Sequence, residues 1–430
     1  TIWCTYVVIL RTTETMWMEI MTTRMILRCF FERLEEYLQP KLLKFHTKLA
    51  DALMEAGQES TQWNFTLPLV TARHGLRFTM AEYIRKFKKH RVLLGALVTR
   101  VIFEGSQATG VQFTKSNVEH TVRASKGIII AAGAIGSPKI LMQSGIGSTE
   151  HLQDIGIPTK INLPVGENLM DHVTTGYNLL LLNESLPINF HDLLSPQSFY
   201  NLFAHESGPL TISGCEATAI LNVPPAELPN LQFMELPTGI THDYGAHLRH
   251  ITNVNDSIWE GYFKKFLGLP TATILPIVLK PKSRGFVRLR NADPHTAPII
   301  NPNYLSHPHD TELLIQGIRI IQQILDTKAM KRIGAEINPL LFPGCEHHLW
   351  NSNHYWKCYV QHLTLTAFHP AGTCAMGKVV DYNFRVYHTK NLFIVDASVM
   401  PTLPSANPMA TIGMLAHRFL AINDMLDIKP

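Results

Sequence analysis

Histidine is the side chain best suited to take a proton near neutral pH, because its unperturbed pKa lies near 6.5. The chain holds 21 of them in 430 residues, so abundance singles out none. Two stretches offer a complementary requirement, a place where developing negative charge is stabilised. In NLFIVDASVMPTLPSANPMATIGMLA, residues 391–416, the apolar run Leu392–Val395 reads as a strand buried on both faces, with Asp396 at its carboxyl end. Asn407 then reads as a helix N-cap and Pro408 as the first helical residue, where a missing N–H costs nothing. The free N–H groups of that helix start carry about half a positive elementary charge. A second stretch, KGIIIAAGAIGSPKILMQSGIG, repeats the design: a buried strand from Gly127 to Ala132, glycines 133 and 136 at the turn, and Ser137-Pro138 as cap and first position. A third, PVGENLMDH, gathers Glu167, Asn168, Asp171 and His172 into what residue type alone would read as a metal donor set.

These stretches imply elements that must hold them: parallel strands feeding helices, with a second layer to carry the substrate. With FHPAGTCAMG (368–377), they resemble the glucose-methanol-choline oxidoreductases, flavoenzymes that oxidise alcohols with FAD. AGAIGSPKILMQSGIG matches a signature of that family residue class by residue class, and the resemblance runs from about Thr47 to about Leu426. KPKSRGFVRLRNADP, INPNYL and YWKCYVQHLTLTAFHPAGT are similar to the arthropod glucose-dehydrogenase-like branch.

The resemblance implies an α/β chain with a Rossmann-like FAD-binding domain, missing its first βαβ unit, and a mixed α+β substrate domain on an antiparallel sheet. It divides the chain into an unplaced segment 1–40, the remainder of the amino-terminal FAD-binding region at 41–173, a mainly substrate-binding part at 174–378, and a return to the FAD-binding domain at 379–430; the family's carboxy-terminal region covers about 280–425. The family begins with a strand, a Gly-x-Gly-x-x-Gly turn and a helix that holds the FAD pyrophosphate, and no such turn occurs here before residue 100. The expectation is therefore of an amino-terminally incomplete or divergent member.

By the same resemblance His369 is the general base that takes the hydroxyl proton as hydride leaves for the flavin N5. The helix opening at Pro408 would stabilise negative charge on the reduced flavin. Asp396 and Ala397 would approach its ribityl and pyrophosphate part, Thr411 its ring system, the turn at Ala132 and Gly133 the cofactor generally, and the backbone at Val98 the adenine end, although Val98 equally reads as an ordinary core valine. Members with this local pattern are expected to carry an Asn or His two residues after Asn407 as the partner of the catalytic histidine. Here that place is Met409, whose thioether donates no hydrogen bond. Impaired activity, compensation by Asn407, and a catalytically degenerate relative with weak or no FAD binding all remain open. The Glu167–His172 loop becomes a connection between cofactor-domain elements that needs no metal.

Composition sets the frame. With 46% hydrophobic and 17% charged residues the chain can bury a large core, and a formal charge of +4 gives no argument for nucleic acid. The basic run from Arg85 to Arg91 reads as a solvated turn before a strand. No apolar run reaches the roughly 18 residues of a membrane span. The small molecules implied are an alcohol or sugar substrate and a quinone-like or dye acceptor in preference to oxygen. Cys345 and Cys358 are spaced like a disulfide of secreted members of the branch, with two free buried thiols as the alternative. Asn64, Asn183 and Asn255 head glycosylation sequons. Secretion is the expectation, without a visible signal peptide. Along the chain, residues 49–56 read as a helix ended by Gly57, 92–103 and 110–113 as adjacent strands, 272–279 and 285–290 as further strands, and 310–325 as a long helix whose core face includes Leu313, Leu314, Ile318 and Ile321.

Overall fold

The computed structural model describes residues 39–42, 44–60, 62–79, 82 and 92–422. The unplaced opening segment, but for its last two residues, and the basic run 85–91 lie outside them.

The elements that position the site are, in chain order, α1 (Lys48–Ser60), β1 (Ala96–Glu104), β2 (Gln107–Lys115), β3 (Val118–Arg123), β4 (Ile128–Ile130), α2 (Gly133–Gln143), β5 (Val173–Thr174), β6 (Leu180–Leu181), β7 (Ala217–Leu221), β8 (Leu231–Leu236), β9 (Thr271–Val278), α3 (Pro308–Leu325), β10 (Glu336–Ile337), α4 (Asn353–His362), β11 (Leu365–Thr366), β12 (Leu392–Ile394) and α5 (Met409–Ile422). They form two hydrophobic cores. One holds the antiparallel sheet β7-β8-β9-β5-β11, with β6 and β10 attached through β9. Along β8, Leu231 and Phe233 face the helices α1 and α3, and the alternate residues Gln232, Met234 and Leu236 face the opposite side. The other core joins α2, β4, β12 and α5 to the meander β1-β2-β3.

At the centre of this second core, β4 and β12 pair in parallel, Ile128 opposite Leu392 and Ile130 opposite Ile394. A parallel pair needs a long crossover, and here the whole antiparallel-sheet domain is inserted between the two strands. Strand β12 is buried throughout, as its apolar run predicts. Strand β4 is not: Ile129 is 45% exposed, so one face of the expected doubly buried strand is open.

Local readings change in three places. Helix α2 begins at Gly133 rather than at Pro138, which lies inside it. Pro138 has no N–H for the carbonyl of Ala134 four residues back; the Thr373 hydroxyl donates to that oxygen instead, at 2.6 Å. The Ser137 hydroxyl accepts from Ala132 N–H at 3.1 Å and donates to Asp396, so it ties the turn together without capping a helix that starts after it. Helix α1 runs through Gly57 to Ser60. That glycine is required by packing: a Cβ there would sit 2.2 Å from the Trp63 carbonyl oxygen. Helix α1 also packs into the sheet-domain core, with Leu49, Ala52, Leu53 and Ala56 buried in it. Strand β1 starts four residues later than read and ends at Glu104, β2 is longer than read, the hairpin between them is tight, and β3 adds a strand whose uniformly exposed pattern gives no periodic signal.

Candidate active site

Strands β5 and β11 pair antiparallel, Val173 opposite Thr366, and Ala367 N–H donates to His172 O at 2.9 Å. Two residues further on, Met170 and Ala371 exchange N–H···O bonds, each 2.9 Å. Asp171 is thus alone opposite the three residues Phe368, His369 and Pro370. The His369 strand bulges outward, and Phe368 takes φ +62°, a conformation costly for a bulky residue. The Asp171 carboxylate holds the bulge: Oδ1 accepts from His369 N–H at 2.9 Å, and Oδ2 accepts from the hydroxyls of Tyr304 and Thr366. Thr366 Oγ1 in turn accepts from Phe368 N–H at 2.8 Å. Burial pushes the Asp171 carboxyl up from its ordinary pKa, and the Thr366, Tyr304 and His369 hydrogen bonds oppose it.

The strand pairing brings His172 beside His369. Their Nδ1 atoms are 3.0 Å apart and the rings meet edge to face at 5.1 Å. His172 is wholly buried, and its Nε2 lies 3.2 Å from the Pro404 carbonyl oxygen. On the other side of His369, Nε2 is 3.2 Å from Asn407 Nδ2. Asn407 Oδ1 accepts from Gln232 Nε2 at 3.3 Å, and the same amide nitrogen of Gln232, on β8, donates to Thr218 Oγ1 on β7 at 3.2 Å. Burial lowers the His369 pKa to about 4; burial and the neighbouring His369 charge hold that of His172 well below its ordinary value. Both rings are therefore neutral at neutral pH.

Asn407 rather than Met409 faces His369. The Met409 side chain packs with Leu69 and Ala410 on Phe78, away from the histidine. The geometry overturns the expectation that the second partner lies two residues after Asn407. The side chain of Asn407 is directed at His369 and Gln232, so its reading as a side-chain cap does not hold either, although Ile412 N–H donates to Pro408 O at 2.9 Å as the first bond of α5. The N–H groups of Met409, Ala410 and Thr411 precede that bond and form the unsatisfied first turn.

Behind these groups Asp396 joins the two strand-turn-helix units. Its Oδ2 accepts from Gly133 N–H at 2.9 Å and from the Ser137 hydroxyl, while Oδ1 accepts from Ser398 N–H at 2.7 Å. A carboxylate at the start of α2 is favoured by the helix dipole. Gly133 has φ +74° with open space where a Cβ would lie, and Ala132 is exposed. Ala397 is buried in the short turn that follows Asp396. Val98 lies immediately before a register shift in β1, half-buried.

The acid and histidine group of the Glu167–His172 loop divides. Asp171 and His172 enter the site; Glu167 pairs with Arg288 at 3.2 Å, and Asn168 Oδ1 accepts from Arg284 Nε at 3.1 Å. Cys345 and Cys358 form a disulfide with His362 alongside. Among the described residues these three were the one candidate donor cluster for a metal, and the disulfide occupies both sulfurs. Sequence reasoning gave no role to Gln232, Tyr304 or Thr366. A glutamine inside the buried run LQFMEL was the available signal for the first; nothing local marked the other two.

Two hydrophobic cores, a parallel strand pair with open turns, and a histidine–asparagine pair where the cores meet make up the site, and they fit one family of oxidoreductases. The chain belongs to the GMC oxidoreductase family, whose amino-terminal region matches residues 69–174 and whose carboxy-terminal region matches residues 281–416. It is 30% identical over 379 residues to the glucose dehydrogenase [FAD, quinone] of Drosophila melanogaster, across 84% of this chain and 58% of that one. Against the alcohol dehydrogenase [acceptor] of Pseudomonas putida the identity is 32% over 364 residues, covering 81% and 61%. The chain thus spans about three fifths of the length of these relatives. Among solved structures, pyridoxine 4-oxidase from Mesorbium loti superposes with a TM-score of 0.69 at 26% identity, covering 88% of this chain and 70% of that one. Formate oxidase from Aspergillus oryzae, at 21% identity, shares the fold with a TM-score of 0.74 over 90% and 71%. No helix among the described residues is long and apolar enough to cross a membrane.

Proposed function

We propose that the whole protein is an FAD-dependent oxidoreductase acting on the CH–OH group of an alcohol or sugar, with His369 as the proton acceptor and Asn407 as the donor that holds the substrate oxygen. The observation that carries this reading is the His369 Nε2–Asn407 Nδ2 pair, 3.2 Å apart at the junction of the two cores. A hydroxyl between them would find a hydrogen-bond donor for its oxygen and a lone pair for its proton.

The residues present fit FAD: the turn at Ala132 and Gly133 is open, the strand ends are parallel, and the first-turn N–H groups of Met409, Ala410 and Thr411 are free of helical bonds. Ala132, Gly133 and Ala397 would hold the cofactor's phosphate and ribityl part, with Asp396 fixing the turn they stand on; the backbone at Val98 would meet its adenine end. Bound FAD supplies the two-electron acceptor for hydride. The chain's own residues orient the hydroxyl at Asn407, accept its proton at His369 Nε2, and favour negative charge at the α5 terminus. Met409 contributes its backbone N–H there. The degenerate reading loses the support it drew from Met409, because Asn407 fills the place.

The quinone in the name of the insect relative supports a quinone-like acceptor as the partner. The Cys345–Cys358 disulfide, with Asn64, Asn183 and Asn255 all exposed, supports an oxidising, extracytoplasmic setting. The test is anaerobic addition of alcohols and sugars to the complete, flavin-loaded protein. Bleaching of the flavin absorbance is expected in wild type and a loss of two to four decades in its rate, roughly, in His369→Ala; unchanged rates in that variant would refute the role of His369.

A further inference from the structure

We propose that His172 is a positioning residue that fixes His369 in the neutral tautomer with its proton on Nδ1, leaving Nε2 as the proton-accepting atom. The functional part of this inference rests on His369 being the base; the tautomer itself does not.

The argument runs through one hydrogen-bonded chain with a single consistent direction. Its anchor is the Pro404 carbonyl oxygen, 3.2 Å from His172 Nε2, which can only accept. His172 Nε2 therefore carries a proton. His172 is fully buried and neutral, so its Nδ1 is a lone pair. Three ångströms away, His369 Nδ1 must then donate. With its proton on Nδ1, His369 presents a lone pair at Nε2, to which Asn407 Nδ2 donates at 3.2 Å; Asn407 Oδ1 accepts from Gln232 at 3.3 Å. The chain Gln232, Asn407, His369, His172, Pro404 closes with every donor meeting an acceptor.

The opposite tautomer fails twice. Two Nδ1 lone pairs would face each other at 3.0 Å, and an Nε2–H would oppose the amide N–H of Asn407. Turning the Asn407 amide would mend the second fault only by setting its NH2 against that of Gln232. The arrangement has the logic of a base oriented by a third group, but the orienting group is uncharged. His172 holds the ring and its tautomer without placing a carboxylate against it; the buried carboxylate of the neighbouring residue, Asp171, is spent on the His369 backbone N–H and the Tyr304 and Thr366 hydroxyls. Lys280, the other charged group acting on His172, donates to Leu403 O at 2.7 Å. Because His172 Nε2–H ends on a carbonyl, the proton taken from a substrate hydroxyl stays on His369 and leaves by Nε2, not through His172.

The test uses the complete FAD-loaded protein with ¹⁵N-labelled histidine. Nitrogen NMR is expected to show His369 as the Nδ1–H tautomer and His172 as the Nε2–H tautomer. In His172→Leu the His369 signal should lose that bias, and turnover should fall by about ten- to a thousandfold, less than the roughly 10⁴-fold loss when a charged orienting partner is mis-set. His172→Gln, which offers an acceptor to His369 and a donor to Pro404, should restore the tautomer and most of the turnover; flavin content and melting temperature of each variant separate this from misfolding. An Nε2–H tautomer in wild type, or an unchanged His369 signal in His172→Leu, would overturn the inference. Full turnover in His369→Gln with the tautomers as assigned would remove the base reading and leave the tautomer assignment standing.

Discussion

Replacing Asn407 by alanine separates its role from that of Met409. The Asn407 amide is clamped from both ends, by His369 Nε2 at 3.2 Å and Gln232 Nε2 at 3.3 Å, so its N–H points at the reacting position before substrate arrives. A preorganised donor of this kind is worth about 3–4 kcal/mol in the transition state, or roughly two to three decades in rate. Its ground-state cost is smaller: the lost Gln232 bond is worth about 1 kcal/mol of stability. Rapid-mixing measurement of flavin reduction under anaerobic conditions reads the chemical step directly. Asn407→Ala should slow it by those two to three decades with flavin content unchanged. Met409→Asn should leave it within about threefold, because that side chain packs on Phe78 and Leu69 rather than toward His369, and should cost about 1 kcal/mol in stability through lost apolar contact. A reduction rate within about fivefold of wild type in Asn407→Ala, or a tenfold gain in Met409→Asn, would refute this assignment of the pair.

Three further outcomes follow from contacts elsewhere. His369 has its pKa lowered by burial to about 4 from an unfolded value near 6.5, so the unfolded chain binds more protons between those values. Stability from this group is complete above about pH 6.5 and is lost as pH falls toward 4, by about 3 kcal/mol in all at about 1.4 kcal/mol per unit; His172 shifts in the same direction. Urea melts across that range should show the loss, reduced in His369→Gln, and a flat profile would contradict it. Thr373→Val leaves the Ala134 carbonyl without a donor, since Pro138 cannot supply one, and should lower stability by about 1–3 kcal/mol in a thermal melt; an unchanged melt would mean the carbonyl finds another partner. Reducing the Cys345–Cys358 disulfide opens a loop of sequence separation 13 and should cost about 3 kcal/mol by denaturant titration with and without reductant; coincident curves would show that the bond is not formed in the protein.

The sequence by itself determined the elements whose signal is local. The apolar run at Leu392–Ile394 and the periodic face of Pro308–Leu325 each became the strand and helix they indicate, because burial on both faces and a 3.6-residue repeat leave few alternatives. The motif around His369 likewise marked a residue that the fold brings to the junction of the two cores. Tertiary structure decided what lies across from it. Which of Asn407 and Met409 reaches the histidine depends on how the loop before α5 enters its helix, and neighbours two residues apart there point in different directions. His172 meets His369 across 197 positions only because β5 and β11 pair in register, and Asp171 supports the bulge only because that pairing slips past Phe368. Pro138 reads as a helix start from its own chemistry and lies inside one because Thr373, distant in sequence, supplies the missing donor. Residue type states what a side chain can donate or accept, whereas strand register and helix entry decide which partner receives it.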